Sequence, residues 1–576
     1  AAAGAGSRLG LQQAPRSQRI SARGLPTLAS AGAGPLSGAG VLPEAMPAET
    51  NAHFDAVAGH YEDAFFYEEG PREEWLLREV AAALDVPAGL EAAGCVLADI
   101  GGGTGAFTSR LHAKLDLGQR ALCVDPSPGM LKVAEERKEL VPVLADAVAF
   151  AADESHVGGY DRALLKEVVH CIPPEGVAPM YQGIQRQLRD GGVSVTMTRP
   201  QEPEYPLFAA ARQVWRENQP PSETFAEAMR DAGFEDVEVR ELRYPCRLPL
   251  DRWCTMMRQR FWSTFSHFSD EELEEGIAEV AAKHAGKDDV EFDEILLAIV
   301  GRKPAAPPAA PATLRPAADA PAVAADFGDR GFVSGLPILS ASEVQSCLMA
   351  FEEYEEFCGG RVAGDARFKT HLLLPWMWRL IHNERLLDAV QAALGTPNLL
   401  CWSTDFFVKE PGDGGFASWH QDAAYVGMEP PDALTAWIAL TPSSLATGCV
   451  KALPGSHRGP LEPHVETRDP KNLLLLGQSI EGISSDRLSE AVAFELDPGE
   501  ASMHHLNTIH ASEPNAAGSG RRIGVAIRFA GAHVVQHLDP RDSVVVVRGS
   551  PVPGAYAEEP APAGWMCEDG LKAHSE

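Results

Sequence analysis

The segment Ser418-Trp419-His420-Gln421-Asp422 is followed, 88 positions after its aspartate, by His510 and, 12 residues further on, by Arg522. Two imidazoles and one carboxylate can occupy one face of an octahedral ferrous ion, leaving three positions open for a chelating cosubstrate and for dioxygen. If 416–422 runs as a strand, His420 and Asp422 point to the same side, because side chains two apart share a face. A guanidinium at Arg522 suits a bidentate grip on a dicarboxylate such as 2-oxoglutarate. Arg521 precedes it directly. The expected chemistry of this half is oxidative.

A second constellation lies upstream. The apolar run Val96-Leu97-Ala98-Asp99-Ile100 leads into Gly101-Gly102-Gly103-Thr104-Gly105 and then into a helix-compatible stretch from Ala106 to Leu115. Glycines let the backbone turn sharply and approach a ligand closely, and the following helix offers free N–H groups. About 20 residues past the loop, the run Ala121-Leu122-Cys123-Val124 ends in Asp125, where a carboxylate can accept from both ribose hydroxyls of a nucleotide. A glycine loop alone also fits a dinucleotide site.

These residues need elements that bring them together. Around the downstream triad the sequence reads as short strands separated by Gly and Pro: 400–410, 434–440, 449–453, 492–496, 501–505 and 523–529. A double-sheet jelly roll, or double-stranded β-helix, brings such remote strands into one site. In the last strand Arg522, Gly524, Ala526 and Arg528 share a face, so a guanidinium projects inward beside small residues. Of His504 and His505, one should face the pocket as an outer group, not as a ligand. His457 reads as a turn histidine, and Trp437 as core or as a wall of the cosubstrate pocket. The upstream half, with its strand, glycine loop and helix, reads as an α/β Rossmann-like domain.

The downstream half resembles the phytanoyl-CoA dioxygenase family of Fe(II)/2-oxoglutarate oxygenases from about Phe327 to Val535. The resemblance rests on Ser418–Asp422, Thr435-Ala436-Trp437-Ile438-Ala439-Leu440, Pro454-Gly455-Ser456-His457, and His510-Ala511-Ser512-Glu513-Pro514-Asn515 leading to Arg521-Arg522-Ile523-Gly524. It implies iron held by His420, Asp422 and His510, with the far carboxylate of 2-oxoglutarate on Arg522; Arg521 is its rival, since the resemblance leaves either as the anchor. Because Asp422 is present, it implies hydroxylation in preference to halogenation. The upstream half, His53 to Lys303, resembles the class I S-adenosylmethionine methyltransferases through D-x-G-x-G-x-G. That likeness places Asp99, Gly101, Gly103 and Gly105 around the methionine part of the cofactor and Asp125 on the ribose. Asp146 fits either an adenine contact or a helix cap. Lys166, Glu167 and His170 fit either the floor of the methyl-transfer site or a solvated helix start.

Composition sets the frame. At 576 residues and 45% hydrophobic content the chain can supply two cores. The tract Pro304 to Ala325, PAAPPAAPATLRPAADAPAVAA, reads as a semi-extended spacer able to span roughly 70 Å at the polyproline rise, so that the two sites need not touch. The expected order is then 1–50 as a disordered or transit-peptide-like segment, 51–303 as the methyltransferase domain, 304–325 as linker, 326–540 as the oxygenase domain and 541–576 as a tail. The first 50 residues carry Arg8, Arg16, Arg19 and Arg23 with no acid before Glu44, a composition like that of a plastid or mitochondrial targeting peptide; without one, the expected place is the cytoplasm. A net charge of -32 and a pI near 5.0 argue against nucleic acid or an anionic membrane as partner. Ten cysteines without a C-x-x-C pair, beside an iron site that must stay ferrous, suit a soluble protein in a reducing compartment.

The aromatic and Met-rich stretch through Trp215, Tyr244, Trp253, Met256, Met257, Phe261, Trp262, Phe265 and Phe268 reads as helical core, with a cap over an acceptor pocket as the other reading. The expectation as a whole is a bifunctional enzyme acting on small molecules and O2 with S-adenosylmethionine, Fe(II) and 2-oxoglutarate. Its alternative is one working domain beside a ligand-binding or scaffolding partner.

Overall fold

A computed structural model describes residues 70–305, 319–474, 477–538, 542–551 and 556–575. The first half is a seven-stranded sheet built from β1 (Leu97–Ile100), β2 (Ala121–Asp125), β3 (Leu140–Leu144), β4 (Tyr160–Lys166), β5 (Leu188–Thr198), β6 (Glu235–Pro249) and β7 (Asp289–Arg302). Its order is β3-β2-β1-β4-β5-β7-β6, with β1 to β5 parallel and β7 antiparallel to both neighbours. β1 is buried at all four positions, as a central parallel strand covered on both faces must be. The order reverses between β1 and β4, and ligands of open α/β sheets bind beyond the carboxyl ends of the strands at such a point. The expected Rossmann-like arrangement is the observed one. The acidic run 270–275 opens the helix Asp270–Lys283, capped by Ser269 and Glu272 in a reciprocal box.

The second half is a jelly roll of two sheets. The larger runs Ala557–Glu558, Ser543–Arg548, Leu399–Lys409, Arg522–Gly531, Ala433–Ala439, Glu500–His505, Phe332–Pro337; the smaller runs Ala417–His420, His510–Ser512, Val450–Ala452, Val492–Ala493. Helices Ala341–Phe357, Pro375–Ile381 and Glu384–Leu394 cover the outer face of the larger sheet around Trp376, Phe351 and Phe406.

Two expectations change. The spacer ends early: the helix Ala320–Arg330 begins inside it, with Pro321 tolerated in its first turn and Val323 and Phe327, four apart, buried against the jelly roll. Residues 1–50 and 306–318 lie outside the described residues. The segment 541–576 is no tail. Its β-branched run 544–547 pairs with the edge at Leu399–Cys401, Trp565 and Met566 enter the core, and Glu559 receives Lys369 at 2.5 Å and meets His371 at 2.7 Å. The two halves also meet. Leu90 and Ala93 of the first half are buried in the hydrophobic core of the second. Around them Arg120 pairs with Glu353, Arg379 with Asp116, and Ser342 donates to Glu91 at 2.5 Å. No helix among the described residues is long and apolar enough to cross a membrane.

Because Leu90 is 4% exposed and its neighbours belong to the other half, Leu90→Ala should cost about 2–4 kcal/mol and lower the calorimetric transition of the oxygenase half. An unchanged transition would show that the halves unfold independently.

Candidate active sites

The smaller sheet carries two of the three candidate iron ligands as cross-strand partners: His420 ends the strand Ala417–His420 and lies opposite His510. The strand does not continue to Asp422 as expected. Asp422 adopts helical angles, φ -59° and ψ -35°, at the start of the short helix Ala423–Val426. The turn nevertheless returns its carboxylate to the imidazoles: Oδ1 lies 3.3 Å from His420 Nε2 and 3.8 Å from His510 Nε2. One ligand atom from each of the three residues falls within 4.8 Å of the others, and all three side chains are buried. His420 Nδ1 stands 2.8 Å from the Ser418 carbonyl and His510 Nδ1 2.9 Å from the Thr508 carbonyl. A carbonyl can only accept, so each Nδ1 carries the proton and each Nε2 turns a lone pair inward.

The remaining groups hold this arrangement. Tyr425 donates to Asp422 Oδ1 at 2.5 Å and Thr435 to Oδ2 at 2.7 Å. Burial and the nearby imidazoles His420 and His504 keep His510 well below its ordinary pKa, hence neutral. Burial opposes ionisation of Asp422, but its polar neighbours and the Arg528 guanidinium prevail and hold its carboxyl well below the carboxylate range. Neutral imidazoles and an ionised carboxylate are the states in which these groups bind a metal. His504 is the inward member of its pair: its ring lies 4.1 Å from that of His510, and neither of its nitrogens has a hydrogen-bond partner. His505 faces away, toward His457, whose Nε2 meets the Gly328 carbonyl at 3.2 Å in a turn.

Arg522 and Arg521 part company. Arg521 points outward to Glu355 and Glu410. Arg522 is 1% exposed, lies in the same cavity as the triad with its guanidinium 5.1 Å from the Trp437 ring, donates through Nη1 to the Gly448 carbonyl, and leaves Nε without a partner. Trp437 is therefore a cavity wall, and position 524 must be glycine: a Cβ there would stand 1.9 Å from the indole. Lys409, opposite Arg522 in the sheet, is fully buried and donates to Ser512 Oγ at 2.7 Å and the Glu513 carbonyl at 2.5 Å. Burial and the Arg522 charge bring its amine down to about 6.

In the first half Gly101, Gly103 and Gly105 have φ of 84°, 58° and 74°, the left-handed region that disfavours side chains. Added Cβ atoms at Gly101 and Gly105 would strike Val168 and Leu140 at 2.1 and 2.3 Å, whereas one at Gly103 would meet nothing within 4 Å, so the loop's middle faces open space. Asp125 accepts from Gly103 N at 3.0 Å and Ser127 N at 2.9 Å, which ties the end of β2 to the loop. Asp99 is 2% exposed; Thr108 donates to its Oδ2 at 2.5 Å and Oδ1 has no partner. Burial raises its carboxyl to about 6. Asp146 caps the helix Ala147–Ala152, Oδ1 accepting from Val148 N and Ala149 N.

Comparison with known proteins finds both kinds of domain. Residues 329–523 match the family model for phytanoyl-CoA dioxygenase, and residues 98–194 match a methyltransferase-domain model. This chain joins a methyltransferase domain to a phytanoyl-CoA dioxygenase-family domain. It is 29% identical over 161 residues to a probable phytanoyl-CoA dioxygenase of Caenorhabditis elegans, covering 27% of this chain and 50% of that protein. It is 31% identical over 174 residues to a probable alpha-ketoglutarate-dependent hypophosphite dioxygenase of Stutzerimonas stutzeri, covering 28% and 55%. The chain thus spans about half the length of these curated relatives. Among solved structures, the apo form of a non-heme monooxygenase, ThoJ, is 32% identical, covering 44% of this chain and 92% of that one at a TM-score of 0.39.

Within the dioxygenase-family domain, sequence reasoning did not single out Lys409, Tyr425 or Thr435. Tyr425 and Thr435 follow Asp422 closely but carry no spacing signal, and a lysine ending a strand reads as solvent-exposed. Gly524→Val should destabilise this domain by about 1–3 kcal/mol, read from urea unfolding. A variant as stable as the parent would mean that the indole does not occupy that place.

Proposed function

We propose that the chain is a bifunctional tailoring enzyme for small molecules, methylating with S-adenosylmethionine in a domain that ends at Lys303 and hydroxylating with Fe(II) and 2-oxoglutarate in a domain from Ala320 to Ser575. The observation that carries the oxidative half is the convergence of two Nε2 lone pairs and one ionised carboxylate beside a buried guanidinium whose Nε has no partner.

In the oxygenase half His420, Asp422 and His510 would hold the metal. Ferrous iron with 2-oxoglutarate, when bound, supplies dioxygen activation and oxidation of an unactivated C–H bond, with succinate and CO2 released. The protein's part is orientation and exclusion of water. Tyr425 and Thr435 fix the carboxylate's plane, the Ser418 and Thr508 carbonyls fix the imidazole tautomers, and Arg522 would take the far carboxylate through Nε and its remaining N–H groups. Trp437 stacks beneath that guanidinium and keeps it dry.

In the methyltransferase half the backbone of Gly101, Gly103 and Gly105 would pass close to the cofactor. The free Oδ1 of Asp99 would accept from its ammonium, and Asp125 would accept from the ribose hydroxyls. Asp146, which uses only Oδ1 as a cap, keeps Oδ2 for the adenine amine. S-adenosylmethionine supplies an electrophilic methyl group, and transfer then depends chiefly on alignment of the acceptor.

His510→Ala should abolish Fe(II) uptake and the visible charge-transfer band with anaerobic 2-oxoglutarate, leaving S-adenosylhomocysteine binding intact; retained iron would remove the triad from the proposal. Arg522→Leu should keep the metal but weaken 2-oxoglutarate by about tenfold or more, and equal weakening in Arg521→Leu alone would exchange their roles. The Asp99 carboxyl, at about 6 in the free protein, must be ionised to accept from an ammonium. Affinity for S-adenosylhomocysteine should therefore be level above pH 7 and fall about tenfold per pH unit below 6, a slope that Asp99→Asn should flatten. A level calorimetric profile from pH 5 to 8 in the parent would dismiss Asp99 from this contact.

A further inference from the structure

The aromatic stretch of the first half does not close into solid core. The hairpin of β6 and β7 extends past the carboxyl end of β5, where β7 pairs Leu297 with Thr198 and continues outward through Glu294 to Phe292. With the helix Leu250–Arg258 and the turn at Trp262, this extension surrounds a cavity of about 390 Å³. Its walls are rings: Tyr205, Tyr244, Trp253, Trp262 and Phe292. Tyr205 lies 4.5 Å from Trp262 and 5.5 Å from Phe292, and Trp253 lies 5.2 Å from Phe292, centroid to centroid. A space of this size with aromatic walls and a few placed polar groups is the form of a small-molecule site.

Its position relates it to the cofactor. Glu294, wholly buried, forms the floor and is gripped by Arg72 and by Arg199, the latter at 3.3 Å. Arg199, the residue after β5, reaches at the same time to Glu167, the residue after β4, at 2.5 Å. Glu167 has φ of 60°, an uncommon conformation for a residue with a side chain and one that concentrates at functional sites. Next to it, Val168 packs on Gly101 of the glycine loop. A run of ion pairs thus ties the cavity floor to Glu167, whose neighbour Val168 packs on the glycine loop, at the strand ends where open α/β sheets bind ligands. Two glutamates meet two arginines along this run, and Arg247, which also lines the cavity, is paired with Asp289 at 2.7 Å, so no net charge is left to select an ion. The rings select instead, because flat walls at these separations favour a flat guest, offset-stacked or edge-on.

We infer that this cavity receives the methyl acceptor, and that the acceptor presents an uncharged, planar aromatic ring. The inference rests on the methyltransferase reading above. It is tested by equilibrium dialysis of the full-length protein, saturated with S-adenosylhomocysteine, against 2-naphthol and its saturated counterpart decahydro-2-naphthol. The naphthol should bind at least tenfold more tightly. Trp262→Leu and the half-buried Tyr244→Leu should each weaken it by about tenfold, while calorimetry gives an unchanged Kd for S-adenosylhomocysteine. Equal binding of the two probes, or naphthol binding that survives both substitutions, overturns the inference. Failure of S-adenosylhomocysteine itself to bind is a separate result, which removes the methyltransferase reading and this inference with it.

Discussion

The arrangement of the oxygenase site depends on two short hydrogen bonds that leave no choice of tautomer. His420 and His510 each donate from Nδ1 to a carbonyl two residues earlier in the chain, so both rings are oriented before any ligand arrives. Without those carbonyls the rings could rotate, and the two Nε2 lone pairs would lose their common direction. Tyr425 and Thr435 complete the restraint from the other side. The two sheets of the jelly roll serve this end by bringing the strand at His510 against the strand at His420 and setting Arg522 across from both.

Much of this was legible because the chemistry is encoded by spacing. The H-x-D pair, the distant histidine and the following arginine name the site, and the strand period explains why Arg522 faces inward while Arg521 faces out. The glycine loop was readable because a positive φ and a close approach leave few residue types free, and Asp125 because it ends the next strand. The geometry around Asp422 was not readable. A strand through 422 and a strand ending at His420 followed by a helical turn place the carboxylate in similar positions, so periodicity alone cannot separate them. Lys409 escaped because nothing local signals that a lysine at a strand end meets three acceptors in a closed interior.

Boundaries were harder than sites. Composition marks the Pro/Ala tract correctly as poor in apolar surface, yet Val323 and Phe327 at helical spacing recruit its end into the second core. The last segment looked peripheral because it follows the final recognisable strand, but the sheet edge at Leu399 needed covering, and the valine run supplies a strand for it. The contact of Leu90 and Ala93 with the second half has no signature in sequence, since two small or apolar residues in a short helical turn fit any interior.

That contact bears on how the polypeptide acquires its shape. The parallel strands β1 to β3 and β4 to β5 of the first half pair across short connections, whereas the jelly roll pairs Phe332 with His504 and Leu399 with Gly531. Distant pairings are slow to form and expose strand edges while they wait. During synthesis the methyltransferase half is complete first, and it offers Leu90 and Ala93 to the helix Ala341–Phe357, the first long helix to emerge afterwards. The fusion thereby shares one hydrophobic interior between two folds of unlike contact range, whether or not the two catalysts share a metabolite.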